Sequence, residues 1–254
     1  MAKLRHRSNL RPKLQRDGKY ILLAVAAIAA LALSSVAFST ANRADSTATL
    51  RTVELYPSPE SAVRPVAAFI GDSYTTGTGF GGQDSDGWPA TLSRAHGWAP
   101  VLEAVGGSGY VAGADRGTNF ASRVPAVVQA KPSYVIVSGS RNDRYFQAAE
   151  IQASASEVIR TLQGELPNTT IVVVGVLWDA STPLEGTYEA NEAVRNAATS
   201  AGVPFIDGLT DPWLNDPALI GTDLLHPNNA GHAEIAARVG QALTGLGIAP
   251  APTK

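Results

Sequence analysis

From residue 66 onward, short runs of β-branched and apolar residues alternate with longer stretches whose apolar positions recur at helical spacing. The runs are VAAFIG (66–71), PVLEAV (100–105), YVIVSG (134–139), TIVVVGVLW (170–178) and VPFIDG (203–208). They predict five strands. Stretches near 86–96, 118–130, 147–165, 187–201 and 229–245 predict helices. Within the runs, apolar residues follow one another instead of alternating with polar ones, as in strands covered on both faces. The repetition of strand and helix predicts one α/β domain of the doubly wound type with a mostly parallel sheet. In such sheets ligands bind at the carboxyl ends of the strands.

Upstream the pattern changes. Residues 21–38, ILLAVAAIAALALSSVAF, carry no charge. Roughly 20 apolar residues span a bilayer as a helix, so residues 20–41 are expected to form a membrane anchor. A cleaved signal peptide is the competing reading, since Ser34 and Ser35 interrupt the run and the small residues STA follow at 39–41. Residues 42–65 read as a polar linker, 66–247 as the folded body and 248–254 as a disordered tail.

Charge sharpens this division. The 254 residues hold 20 Lys and Arg against 22 Asp and Glu. Seven of the basic residues and one acid, Asp17, fall in residues 1–19, leaving 13 basic against 21 acidic residues beyond them. A basic leader is retained in the cytoplasm, which puts the body outside, membrane-bound or secreted. An acidic body argues against nucleic acid as a partner, because phosphate backbones need clustered positive charge. The chain contains no Cys, so disulfides, thiolate metal sites and a cysteine nucleophile are excluded.

Four polar blocks stand where the strands should end: Gly71-Asp72-Ser73, VGGSGY (105–110), SGSRND (138–143) and DLLHPNNAGH (223–232). Each has a plain explanation taken alone. Asp72 or Ser73 can cap a helix, VGGSGY can be a tight turn, SRND a solvated loop, and Asn228 or Asn229 another cap. Trp88, Trp178 and Tyr110 can line a pocket mouth or fill the core. Taken together the blocks suggest chemistry. Serine attacks an ester only when a base takes its proton. Of the body's three histidines, His96, His226 and His232, only His226 has a carboxylate, Asp223, three residues before it. On a loop that spacing lets Asp223 hold one ring nitrogen while the other faces Ser73, the logic of a Ser-His-Asp triad. Backbone N–H groups of Ser73 and Gly106 and the amide of Asn142 can receive the developing oxyanion. His232 is expected to fix the last helix. A phosphate loop would need Gly-Lys-Ser/Thr, but Gly79 is followed by Phe80 and no Lys stands in this loop. The spacing of His226 and His232 matches no common metal site.

The four blocks, in this order, resemble the signature of the SGNH/GDSL hydrolases. The resemblance covers roughly residues 66–245. Two positions depart from the usual pattern: Ala104 stands where many members have Asn, and Ser140 where many have Gly. The resemblance implies a three-layer, flavodoxin-like α/β/α sandwich with a parallel five-stranded sheet. It implies Ser73 as nucleophile, His226 as base, Asp223 as its orienting acid, and Gly106 and Asn142 as oxyanion donors. It further implies no metal or organic cofactor and a small-molecule, glycan or lipid acyl ester as substrate. The catalytic domain is expected to be monomeric, with the membrane its partner through the N-terminal helix. An envelope O-acyltransferase using the same triad, or a non-catalytic carbohydrate-binding protein on the same fold, are the alternatives.

Overall fold

The computed structural model describes residues 64–179 and 181–249. The expected basic leader (1–19), the apolar segment (20–41) and residues 42–63 of the linker lie outside the described residues, as do residues 250–254. Among the described residues no helix is long and apolar enough to cross a membrane.

Five strands form where the apolar runs place them: β1 (Val66–Gly71), β2 (Ala99–Ala104), β3 (Tyr134–Ser138), β4 (Thr170–Val174) and β5 (Phe205–Ile206). Their order is β2-β1-β3-β4-β5, and every pairing is parallel. Among the described residues six α-helices accompany them: α1 (Ser73–Thr76), α2 (Trp88–His96), α3 (Val124–Gln129), α4 (Ala148–Glu165), α5 (Thr187–Ser200) and α6 (Asn229–Gly245). The order in which successive strands are added reverses between β1 and β3, which opens a crevice beyond their carboxyl ends.

The unbroken apolar runs reflect two cores. Successive side chains of a strand point to opposite faces. In β1, Ala67 and Phe69 face Trp88, Leu92, Ile235 and Val239 of α2 and α6. Ala68 and Ile70 face Val127, Ile159 and Val194 of α3, α4 and α5. Both sets are buried, and each large aliphatic side chain so covered contributes about 1.5–3 kcal/mol. Strand β2 lies at the edge, with Pro100 and Leu102 exposed. A proline, lacking a donor, is tolerated there.

Three expectations need correction. The fourth strand was expected to reach Trp178 but ends at Val174. Val176 and Trp178 are buried, yet the Val176 N–H donates to the Asn191 side chain, 2.9 Å away, and not to a neighbouring strand. The helix expected over 118–130 divides into a 3-10 turn, Phe120–Arg123, capped by Asn119, and α3, which has Pro125 in its first turn. The expected disordered tail begins with Ile248 and Ala249, which pack on the α2–α6 core.

Candidate active site

Strand β1 delivers the first block to the sheet's carboxyl edge. The Asp72 carboxylate accepts the Tyr74 N–H at 2.9 Å and caps α1. Ser73 is the first residue of that helix. From the far end of the chain comes the loop before α6. Its turn is closed by Gly221 N–H donating to the His226 carbonyl at 2.7 Å. Asn228 caps α6 through Gly231 N–H, and its amide also donates to the carbonyls of Ala218 and Ile220. Asp223 Oδ1 accepts the backbone N–H groups of Leu225 and His226, at 3.2 and 3.1 Å.

The side chains then line up. His226 Nδ1 lies 2.6 Å from Asp223 Oδ2. His226 Nε2 lies 3.0 Å from Ser73 Oγ. Desolvation pushes the Asp223 carboxyl upward, but its hydrogen bonds from the His226 ring and from the two amides outweigh that and hold it below the usual carboxylate value. An ionised Asp223 accepts only, so Nδ1 carries the imidazole proton and Nε2 presents its lone pair to Ser73 Oγ.

The second and third blocks form the other wall. The buried Asp143 carboxylate accepts three backbone N–H groups, from Tyr110, Val111 and Ala112, at 2.8–3.0 Å. This carboxylate fastens the loop after β2 to the loop after β3. Gly109 is required between them, since a Cβ there would lie 2.5 Å from the Asp143 oxygens. The Asn142 side-chain amide donates to the Ser108 carbonyl at 2.8 Å and reaches Asp72 Oδ2 at 3.4 Å. Ser140 Oγ lies between the same two acceptors, 3.1 Å from Asp72 Oδ2 and 2.8 Å from the Ser108 carbonyl. A Cβ on Gly106 would stand 3.7 Å from Ser73 Cβ, so its backbone borders the serine. Burial outweighs these hydrogen bonds at Asp72 and pushes its carboxyl up to about 6. Burial raises Asp143 as well.

The structure therefore brings Ser73, Asp223, His226, Gly106 and Asn142 to one place. Ser73, Asp223 and His226 form a hydrogen-bonded row; Gly106 and Asn142 flank it. The plain readings of the blocks prove partly right: Asp72 and Asn228 are caps. SRND is no solvated loop, for Arg141 and Asp143 are buried. Trp88, Trp178 and Tyr110 are core residues, at most 1% exposed, and do not line a mouth. His232 is buried and accepts the Trp88 N–H at 3.4 Å, joining the starts of α6 and α2. Asp72, Ser140 and Asp143 are contributors that the sequence reading passed over. All three stand inside the quoted blocks, but their partners lie in other blocks.

Residues 69–234 match the model of the GDSL-like lipase/acylhydrolase family. The chain belongs to that family. It is a carboxylic ester hydrolase. A curated relative, the GDSL lipase Rv0518 of Mycobacterium tuberculosis, is 32% identical over 186 residues, spanning 70% of this chain and 80% of the relative. Among solved structures, the psychrotrophic esterase EstA of a Pseudoalteromonas species superposes with a TM-score of 0.57 at 18% identity, covering 72% of this chain and 98% of EstA. Est24, a carbohydrate acetylesterase of Sinorhizobium meliloti, superposes with a TM-score of 0.57 at 16% identity, covering 72% of this chain and all of Est24. At these identities the two structures establish the common fold.

Proposed function

We propose that this GDSL hydrolase removes short acyl groups, O-acetyl above all, from a carbohydrate alcohol by two-step transfer through Ser73. The observation that carries the reading is the row Asp223–His226–Ser73, with links of 2.6 and 3.0 Å. Ser73 Oγ attacks the ester carbonyl as its proton passes to His226 Nε2. The C–O bond to the alcohol breaks as His226 returns that proton to the leaving oxygen. Water then attacks the acyl-serine, again through His226, and releases the carboxylic acid. Asp223, held ionised, stabilises the imidazolium in both steps. The Ser73 and Gly106 N–H groups receive the oxyanion, together with the Asn142 amide hydrogen that reaches Asp72 at 3.4 Å and turns to the substrate; each such donor is worth about 2.7–4 kcal/mol of barrier.

The substrate assignment rests on the wall beside Asn142. A cavity of about 560 Å³ borders Asn142 and Gly107. The exposed rings of Tyr145 and Phe146 flank it, with the charged heads of Arg116 and Glu150. Aromatic faces beside hydrogen-bonding groups suit a sugar ring, which has apolar faces and a hydroxyl rim. The likeness to Est24 supports the same class. The basic leader and the uncharged run after it support a body held outside the membrane.

The test is a series of nitrophenyl esters, from acetate to decanoate, and acetylated xylo-oligosaccharides, assayed with and without a glycan acceptor. Acetate should be the best of the series, with acetic acid released from the oligosaccharide. Asn142→Ala should lower turnover roughly a hundredfold or more with an unchanged circular dichroism spectrum. Preference for decanoate would overturn the short-acyl assignment. Acyl transfer to the glycan in place of acid release would make the protein a transferase.

A further inference from the structure

We infer that Tyr74 and Arg141 are positioning residues, which hold His226 against Ser73 through a relay of side chains behind the site. The inference rests on the roles of Ser73 and His226 proposed above.

The relay begins at a buried guanidinium. Arg141 lies over the Trp178 ring, 3.8 Å from its centroid. Its Nη1 stands 3.8 Å from the Asp179 carboxylate. The same nitrogen donates to the Tyr74 hydroxyl. That hydroxyl donates to the carbonyl of Leu225. Arg141 precedes Asn142, Tyr74 follows Ser73, and Leu225 precedes His226. Each member is thus the chain neighbour of a proposed working residue.

The last link decides the argument. The Leu225 carbonyl and the His226 N–H belong to one planar peptide group. Tyr74 holds that group by its oxygen, and Asp223 Oδ1 holds it by its N–H at 3.1 Å. Gripped at both ends, the plane cannot tilt; with the His226 carbonyl held on the other side by the Gly221 N–H at 2.7 Å, the Cα–Cβ direction of His226 is fixed as well. Asp223 alone would leave the carbonyl end free. Burial raises the Tyr74 phenol above its ordinary value, so it stays protonated and able to donate. Packing alone does not call for such a relay: a buried ion pair is weak evidence for stability, and apolar side chains of similar volume often serve as well.

The test uses the full-length protein and Tyr74→Phe, which keeps the ring and removes the link. Turnover and KM are measured on nitrophenyl acetate. Competent sites are counted by titration with a chromogenic phosphonate. The downfield proton NMR signal of the Asp223–His226 hydrogen bond is recorded beside them. Misplacement of a reacting group by about 1 Å can cost a hundredfold. Tyr74→Phe should lower kcat roughly tenfold or more, with an unaltered site count, KM within about twofold and a broadened downfield signal. Arg141→Met should do the same, and Arg141→Lys, which keeps a charged donor, should recover most of the loss. Wild-type kcat in Tyr74→Phe would overturn the inference. So would a loss explained by fewer titratable sites, each at full speed, which is a fold defect. If the wild type itself fails to react with phosphonate at Ser73, the proposed function fails and the inference falls with it.

Discussion

Two carboxylates of this site are driven in opposite directions. Asp223 is held below its usual value by the hydrogen bonds it accepts, despite desolvation. Asp72 is fully buried and pushed up to about 6. Between about pH 4 and 6 the folded protein therefore keeps a proton on Asp72 that the unfolded chain has lost. Stability from Asp72 is full below that window and declines as pH rises through it. His232 opposes it. Burial, and then the nearby His226, lower its value to about 4, so its contribution is full above pH 6.5 and declines as pH falls. The wild-type curve mixes both, and the difference between variant and wild type isolates Asp72. Asp72→Asn keeps the cap on Tyr74 but turns an N–H toward the Asn142 amide. Relative to wild type it should gain about 2 kcal/mol between pH 4 and pH 7, while losing most of its activity at every pH. Urea unfolding at the two pH values checks this; a difference that stays flat contradicts the account. Asp223 and His226 were legible in the sequence because they stand three residues apart, and Ser73 because it ends the Gly-Asp-Ser block, although its partner His226 lies 153 residues away. Asp72 and Ser140 were not, because their roles depend on partners 68–70 residues away.

At the scale of elements, legibility followed the kind of constraint. The bounds of β1 and α6 could be read closely. An unbroken apolar run between Pro65 and the Asp72 cap marks the first, and Asn228 before a helical period marks the second. Strand β4 was overread because Val176, Leu177 and Trp178 are as buried as any strand residue. Hydrophobic pattern reports burial, whereas strand identity needs a partner. The β4 pairing with β3 ends at Val174, and β5 offers only two residues. The loop after β2 was legible as a glycine-rich turn. The reason for Gly109 was not, because the Asp143 carboxylate that excludes a side chain arrives from the next crossover. The relay through Arg141 and Tyr74 was hidden for the same reason. It joins three loops whose sequence neighbours, and not its own members, carry the family motif.

For the whole molecule, the sheet order gathers loops from β1, β2, β3 and the segment before α6 at one edge. Two helical layers seal both faces beneath them. The proposed location outside the membrane has its own test. Protease added to intact cells should remove the body, and a body protected until lysis would contradict the topology. Mature protein beginning near residue 42 would instead identify a cleaved, secreted enzyme.

The central claim is that His226 activates Ser73 for attack on an ester. Its most direct test is the mass of the protein, and of its peptides, after incubation with a diethyl nitrophenyl phosphate. The account predicts one diethylphosphoryl group on the wild type, located at Ser73, with concurrent loss of all esterase activity. Ser73→Ala should take up none, and His226→Ala should be slowed by several orders of magnitude. Labelling at another residue, or undiminished ester hydrolysis by Ser73→Ala, would contradict it.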